Sequence, residues 1–216
     1  MQPPTNPPSA KPSSSSKPSR SNRVEAILNF WFGHPASADY GQYRKAWFVK
    51  NPDFDKEIRQ RFLTDYQLAA SGKLNHWQET PRSSVAMLLL LDQFPRNLFR
   101  GQPQSFATDL QAKALSTHLV STGQDKQLIP AQRFFIYVPF EHSEDLADQN
   151  RCVELMQNLV ETVPDINEGL KGGLDYAIRH REVIQRFGRF PHRNEILGRP
   201  STAEELEFLQ QPGSRF

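Results

Sequence analysis

Cysteine is nearly absent from this chain: Cys152 is the only one in 216 residues. No intramolecular disulfide can form, and a metal site built on thiolates is not expected. A reducing, cytoplasmic location fits that usage. Long apolar runs are missing too. The longest, residues 85–91, falls far short of the roughly 20 residues that a membrane helix needs. Charge of one sign is scarce. The net charge is +2, too small an excess to suggest a nucleic-acid partner. Motifs for nucleophilic or phosphate chemistry do not occur: there is no Gly-x-Ser-x-Gly, no phosphate-binding glycine loop, no His-Glu-x-x-His and no Gly-x-Gly-x-x-Gly. The period-two alternation of half-buried strands is also lacking.

Apolar and aromatic residues are present in quantity. Hydrophobic residues make up 37% and aromatics 11%, with 15 Phe and 3 Trp. A domain of this size buries roughly 70% of its unfolded surface, and residues 22–216 are expected to form one all-α domain. Residues 1–21 are rich in Pro and Ser and read as a disordered tail. Lys11, Lys17, Arg20 and Arg23 stand in the first 23 residues without an acid, so the remainder is slightly acidic. The tail has no apolar segment of the secretory type.

About eight helices are legible. Asn22 and Glu25 have capping-box spacing ahead of Val24, Ile27, Leu28 and Trp31. Asn51-Pro52 opens a second helix with the stripe Ile58, Phe62, Tyr66 and Ala69, and Gly72 is placed to end it. Thr80-Pro81 reads as N-cap and N1 of a third. Its run Val85-Ala86-Met87-Leu88-Leu89-Leu90-Leu91 is apolar all round, which predicts the central, most buried helix. Further helices are predicted over residues 106–120, from Pro130, from Ser143 as cap, over 174–187 before Gly188, and after a second capping box at Ser201 and Glu204. Such a series favours stacked antiparallel hairpins.

The chemistry-bearing residues cluster at proline breaks. Phe94-Pro95-Arg96-Asn97 follows Asp92 and the leucine run, and Pro95 is expected to bend or stop that helix. Pro139-Phe140-Glu141-His142-Ser143-Glu144-Asp145 interrupts another apolar run, and Phe190-Pro191-His192-Arg193-Asn194 follows a third. A His among carboxylates suits general acid–base work, which makes His142 and His180 proton-transfer candidates with Glu141 or Asp145 to orient them. His180 shares the inward face with Ala177, Ile184 and Phe187, while Arg179, Glu182 and Arg186 read as a solvated ion-pair ladder opposite. Arg96, Arg100, Arg189 and Arg193 suit an anionic ligand held in bidentate fashion, with Asp92, Asn97, Asp145, His192 and Asn194 beside them. Each also has a structural reading, as a helix-end carboxylate paired to an arginine, a satisfied core histidine or an acidic first turn. Glu141, His142, Asp145, His180 and His192 are metal-ligand types, but no spacing fixes a metal site, and no cofactor is named.

At Leu91-Asp92-Gln93-Phe94-Pro95-Arg96-Asn97, Phe106-Ala107-Thr108-Asp109, Pro139-Phe140-Glu141-His142-Ser143-Glu144-Asp145 and Phe187-Gly188-Arg189-Phe190-Pro191-His192-Arg193-Asn194, the chain resembles the bacterial family called domain of unknown function 924. The likeness spans residues 24–209. Phe140 stands where Leu or Met is more usual. The resemblance implies a tetratricopeptide-like all-α fold and no established activity. Two functions remain open at this point. One is an anionic small-molecule site, catalytic or merely binding. The other is a helical scaffold for a protein partner, in which Trp31, Trp47 and Trp77 would supply exposed aromatics and the polar motifs would be a structural network.

Overall fold

Proline at position 95 shapes the centre of the molecule without ending its helix. A computed structural model describes residues 20–163 and 168–215. In it helix α3, Pro81–Leu88, passes through a π turn, Leu89–Gln93, into α4, Phe94–Leu98. Pro95 has no N–H, so the Leu91 carbonyl four residues earlier lacks a helical donor. The Thr108 hydroxyl donates to that carbonyl instead. The Phe94 N–H reaches back five residues to the Leu89 carbonyl, which widens the turn. The expected break at Phe94-Pro95 is therefore a widened turn in a continuous rod that is buried from Ser83 to Pro95. Pro139 likewise lies inside α6, Pro130–Glu141, which runs on to the end of the apolar segment.

The remaining helices among the described residues are α1, Arg20–Phe32; α2, Pro52–Ala70; α5, Asp109–Ser121; α7, Leu146–Thr162; α8, Glu168–Phe187; and α9, Ala203–Phe208. With α3 and α4 taken as one rod these make eight, joined by short 3-10 turns, and no strand occurs among the described residues. Successive helices stack as hairpins: α5 on α6, α6 on α7 and α7 on α8, while α1 packs on α3 and α2 on α4. The tail expected at residues 1–21 lies, except for its last two residues, outside the described residues.

Local signals hold where no tertiary contact competes. The Asn51 side chain accepts the N–H groups of Asp53 and Phe54, and Thr80 accepts that of Ser83. Gly188 ends α8 at φ 68°, a left-handed value that glycine adopts without strain. Three caps differ from expectation, each because a side chain is engaged elsewhere. The last capping box is Thr202 with Glu205, one residue beyond Ser201 and Glu204, and Glu205 is also where Arg189 docks. Asp145, not Ser143, caps α7, because the Ser143 hydroxyl donates to Asp148. Asn22 lies inside α1, and Glu25 binds Arg82 of α3 with both oxygens. The helix predicted over 106–120 begins only at Asp109, since the Thr108 hydroxyl serves Leu91.

Trp31 sits at the centre, fully buried, with the rings of Phe94, Phe135, Phe54 and Trp47 at 5.5, 5.4, 5.8 and 6.2 Å. One apolar cluster extends from Val24 of α1 to Ala177 of α8. A smaller one joins Val183, Ile184 and Phe190 to Phe187 and Phe208. All three tryptophans are buried, so none offers the exposed aromatic surface that a scaffold reading expects. No helix among the described residues is long and apolar enough to cross a membrane.

Candidate functional site

The π turn carries Asp92 into the protein interior, and the end of α6 carries His142 to meet it. Asp92 is completely buried, and its Oδ1 lies 2.8 Å from His142 Nδ1. A carboxylate can only accept, so Nδ1 holds the proton and Nε2 keeps its lone pair. The amide of Gln93 donates to the other Asp92 oxygen at 2.6 Å, and Arg96 Nη2 stands 3.8 Å from Oδ1. The His142 side chain remains 14% exposed, whereas that of Asp92 is fully enclosed.

Gln149, fully buried on α7, fixes the end of α6. Its amide nitrogen donates to the carbonyls of Glu141 at 2.6 Å and Ser143 at 2.7 Å. These are among the carbonyls that a helix end leaves without partners. Arg193, presented by the 3-10 turn Pro191–Arg193, donates from Nη1 to the His142 carbonyl at 3.0 Å. Its guanidinium lies 4.4 Å from the ring centre of Phe190 and 4.8 Å from that of Phe106, between two aromatic faces. Its Nε is buried without a partner. Asp109 joins the arginines. Arg96 grips both its oxygens at 3.0 and 3.1 Å, and Arg193 Nη1 stands 3.8 Å away.

Burial and neighbouring charge set the protonation states. Loss of water and the Asp92 charge push the Glu141 carboxyl up to about 8, against the pull of Arg96. Burial alone would raise Asp92 too. The charges of His142 and Arg96, with the hydrogen bonds from His142 and Gln93, outweigh it and hold Asp92 below the usual carboxylate range. Burial and Arg96 lower His142, against Asp92. His142 is thus neutral at pH 7, where its donated N–H and the Arg96 charge keep Asp92 ionised. Burial brings His180 down to about 3 and His192 to about 4. Burial and the nearby Arg96 lower Arg193 to about 10, which still leaves it charged. Near neutral pH the site therefore holds a neutral imidazole base, a neutral carboxylic acid and two guanidinium ions that face the carboxylates of Asp92 and Asp109.

His180 sits behind this group. Its Nδ1 is 2.8 Å from the Tyr176 carbonyl and 3.5 Å from Glu141 Oε1, and its ring meets Phe190 edge-on. The His192 ring lies 5.6 Å from that of Phe190. The other predicted residues are engaged elsewhere. Asn97 and Arg100 both bind Asp55 of α2, Arg189 and Asn194 both bind Glu205 of α9, and Asp145 caps α7. His142 is oriented by Asp92, across the fold, rather than by Glu141 or Asp145. Sequence reasoning did not single out Asp109, Gln93, Gln149 or the Phe106 ring. Asp109 and Phe106 lie in a family-like segment, but only the fold shows what they touch. Among the described residues no three His, Cys, Asp or Glu side chains lie where they could hold a metal ion.

Two comparisons place the chain. A solved protein of unknown function from Agrobacterium tumefaciens is similar at a TM-score of 0.74 and 38% identity, over 87% of this chain and 96% of that one. No curated protein matches. The family model described as bacterial protein of unknown function (DUF924) matches residues 27–213. The chain, an all-helical protein with these motifs in place, belongs to that family.

Proposed function

We propose that the chain binds an anionic small molecule at the Asp92–His142 dyad and moves a proton to or from it. The observation that carries this reading is the dyad itself: a fully buried carboxylate orients the imidazole of a side chain that is 14% exposed. His142 Nε2 would act as the general base, and Glu141, neutral at pH 7, as the acid. Two titratable neighbours whose surroundings give them opposite roles are the arrangement that acid–base chemistry needs. Arg193 would hold the ligand's negative group. Its Nε is unpartnered, whereas Arg96 is committed to Asp109 and positions Asp92. The natural ligand is then a compact organic anion carrying a proton that can be removed beside its charged group.

A specific observation favours a second reading, a structural network. Arg96, Arg100, Arg189 and Arg199 each have a carboxylate partner inside the chain. A thermal-shift screen of the full chain against small carboxylates and phosphate esters separates the two, with His142→Gln and Arg193→Met run alongside. The Gln amide can still donate to Asp92 while lacking the imidazole base. A compound that stabilises wild type and neither variant supports the proposed site, because binding to the native state raises apparent stability. No shift in wild type, with both variants melting lower, supports the network.

A further inference from the structure

The expected ion-pair ladder on α8 does not form, and what replaces it is a groove. Arg179, Glu182, Val183, Arg186 and Phe187 lie along one side of α8, and Phe208, Pro212 and Gly213 face them across a depression of about 530 Å³. That volume lies within the range of small-molecule sites. Arg186 does not pair with Glu182 one turn away. It crosses to Glu204 of α9 at 2.8 Å and lies over the rings of Phe187 and Phe208 at 4.7 and 6.0 Å. Its charge is answered, and its guanidinium plane becomes part of an aromatic wall. Arg179 rests 5.7 Å from the ring of Tyr176, itself 55% exposed, and makes no ion pair among the described residues.

We propose that this groove is a second ligand site, separate from the Asp92–His142 dyad, for a small aromatic monocarboxylate. Arg179 takes the carboxylate, and Val183, Phe187 and Phe208 take the ring. The stacked guanidiniums are oriented before any ligand arrives, so binding orders few side chains. Guanidinium and carboxylate match as a planar, bidentate pair. Glu182 lines the same groove and Glu204 holds Arg186 beside it. Glu182, like Arg179, makes no ion pair among the described residues, so a second negative charge on the ligand would face its carboxylate, which selects a single negative charge over a phosphate dianion.

The test uses the full chain and three probes: phenylacetate, its neutral amide phenylacetamide, and phenyl phosphate. Binding is followed by NMR through the methyl signals of Val183. Phenylacetate is expected to shift those signals saturably at millimolar concentration. Phenylacetamide and phenyl phosphate should bind more weakly, and Arg179→Gln should weaken phenylacetate by about tenfold or more, the usual worth of a charge-assisted hydrogen bond. Arg179→Lys keeps the charge without the planar fork and should fall between. His142→Gln should bind phenylacetate as wild type does, whatever the dyad's own function proves to be. The proposal is overturned if phenylacetamide binds as well as phenylacetate, if Arg179→Gln binds like wild type, or if no probe moves the Val183 signals.

Discussion

Replacing Glu141 by Gln should reverse part of the pH dependence of stability. In the folded protein the Glu141 carboxyl titrates at about 8, because burial and Asp92 both oppose its charge. In the unfolded chain it titrates near its ordinary value of 4.5. The folded state therefore holds the proton more tightly. This contribution to stability is complete below about pH 4.5 and is lost as pH rises toward 8. Glutamine keeps the shape and cannot ionise, so it escapes the loss. Between pH 5 and pH 8 the stability of wild type relative to Glu141→Gln should fall by roughly 3–4 kcal/mol, from the linkage of about 1.4 kcal/mol to each pKa unit. The buried histidines titrate in both proteins and cancel in the difference. Urea denaturation of both proteins across that range measures it. Parallel stability curves would refute the reasoning, because they would mean that Glu141 is ionised in the fold or freely hydrated.

Other consequences concern single contacts. Asp92→Asn should cost about 2–3 kcal/mol, since it removes buried hydrogen bonds to a charged carboxylate, and should let the His142 proton move between Nδ1 and Nε2; a cost under about 1 kcal/mol in urea denaturation, with the nitrogen-15 signals of His142 unchanged, would contradict the dyad. Thr108→Val removes the donor that serves the Leu91 carbonyl beside Pro95. It should cost about 1–3 kcal/mol in a urea titration, the usual penalty for an orphaned buried acceptor. Gly173→Ala would put a methyl carbon 2.1 Å from the Phe134 ring. It should cost about 1–3 kcal/mol through overpacking of α8 on α6, whereas an unchanged midpoint would show that the two helices separate easily.

Much of this fold was legible in the sequence, because its signals are local. Asn51 and Thr80 cap the helices they precede, and the stripe Ile58, Phe62, Tyr66 and Ala69 is buried as its spacing requires. The all-apolar run before Asp92 is the most buried helix. His180 points inward with Ala177 and Ile184. The failures were equally informative. Proline at 95 was expected to bend or stop its helix, because local rules cannot see a Thr108 hydroxyl arriving from another segment, and α6 runs on through Pro139. The caps at Ser201 and Ser143 moved by one and two residues, because Asn194 binds Ser201, Arg186 binds Glu204 and Asp148 binds Ser143.

By itself the sequence determined the helical class, the face that each helix buries and the residue types gathered at the proline segments. Propensity, spacing and capping act within a few residues, so they can be read in one dimension. Only the tertiary structure decided which of those residues meet. Asp92 and His142 are fifty positions apart, and Arg193 reaches the His142 carbonyl across fifty-one. Arg100 and Arg189, which look equally suited to a ligand, are tied to Asp55 and Glu205. Burial, which sets the charge on Glu141 and His142, is a property of the whole packed interior and has no local signature.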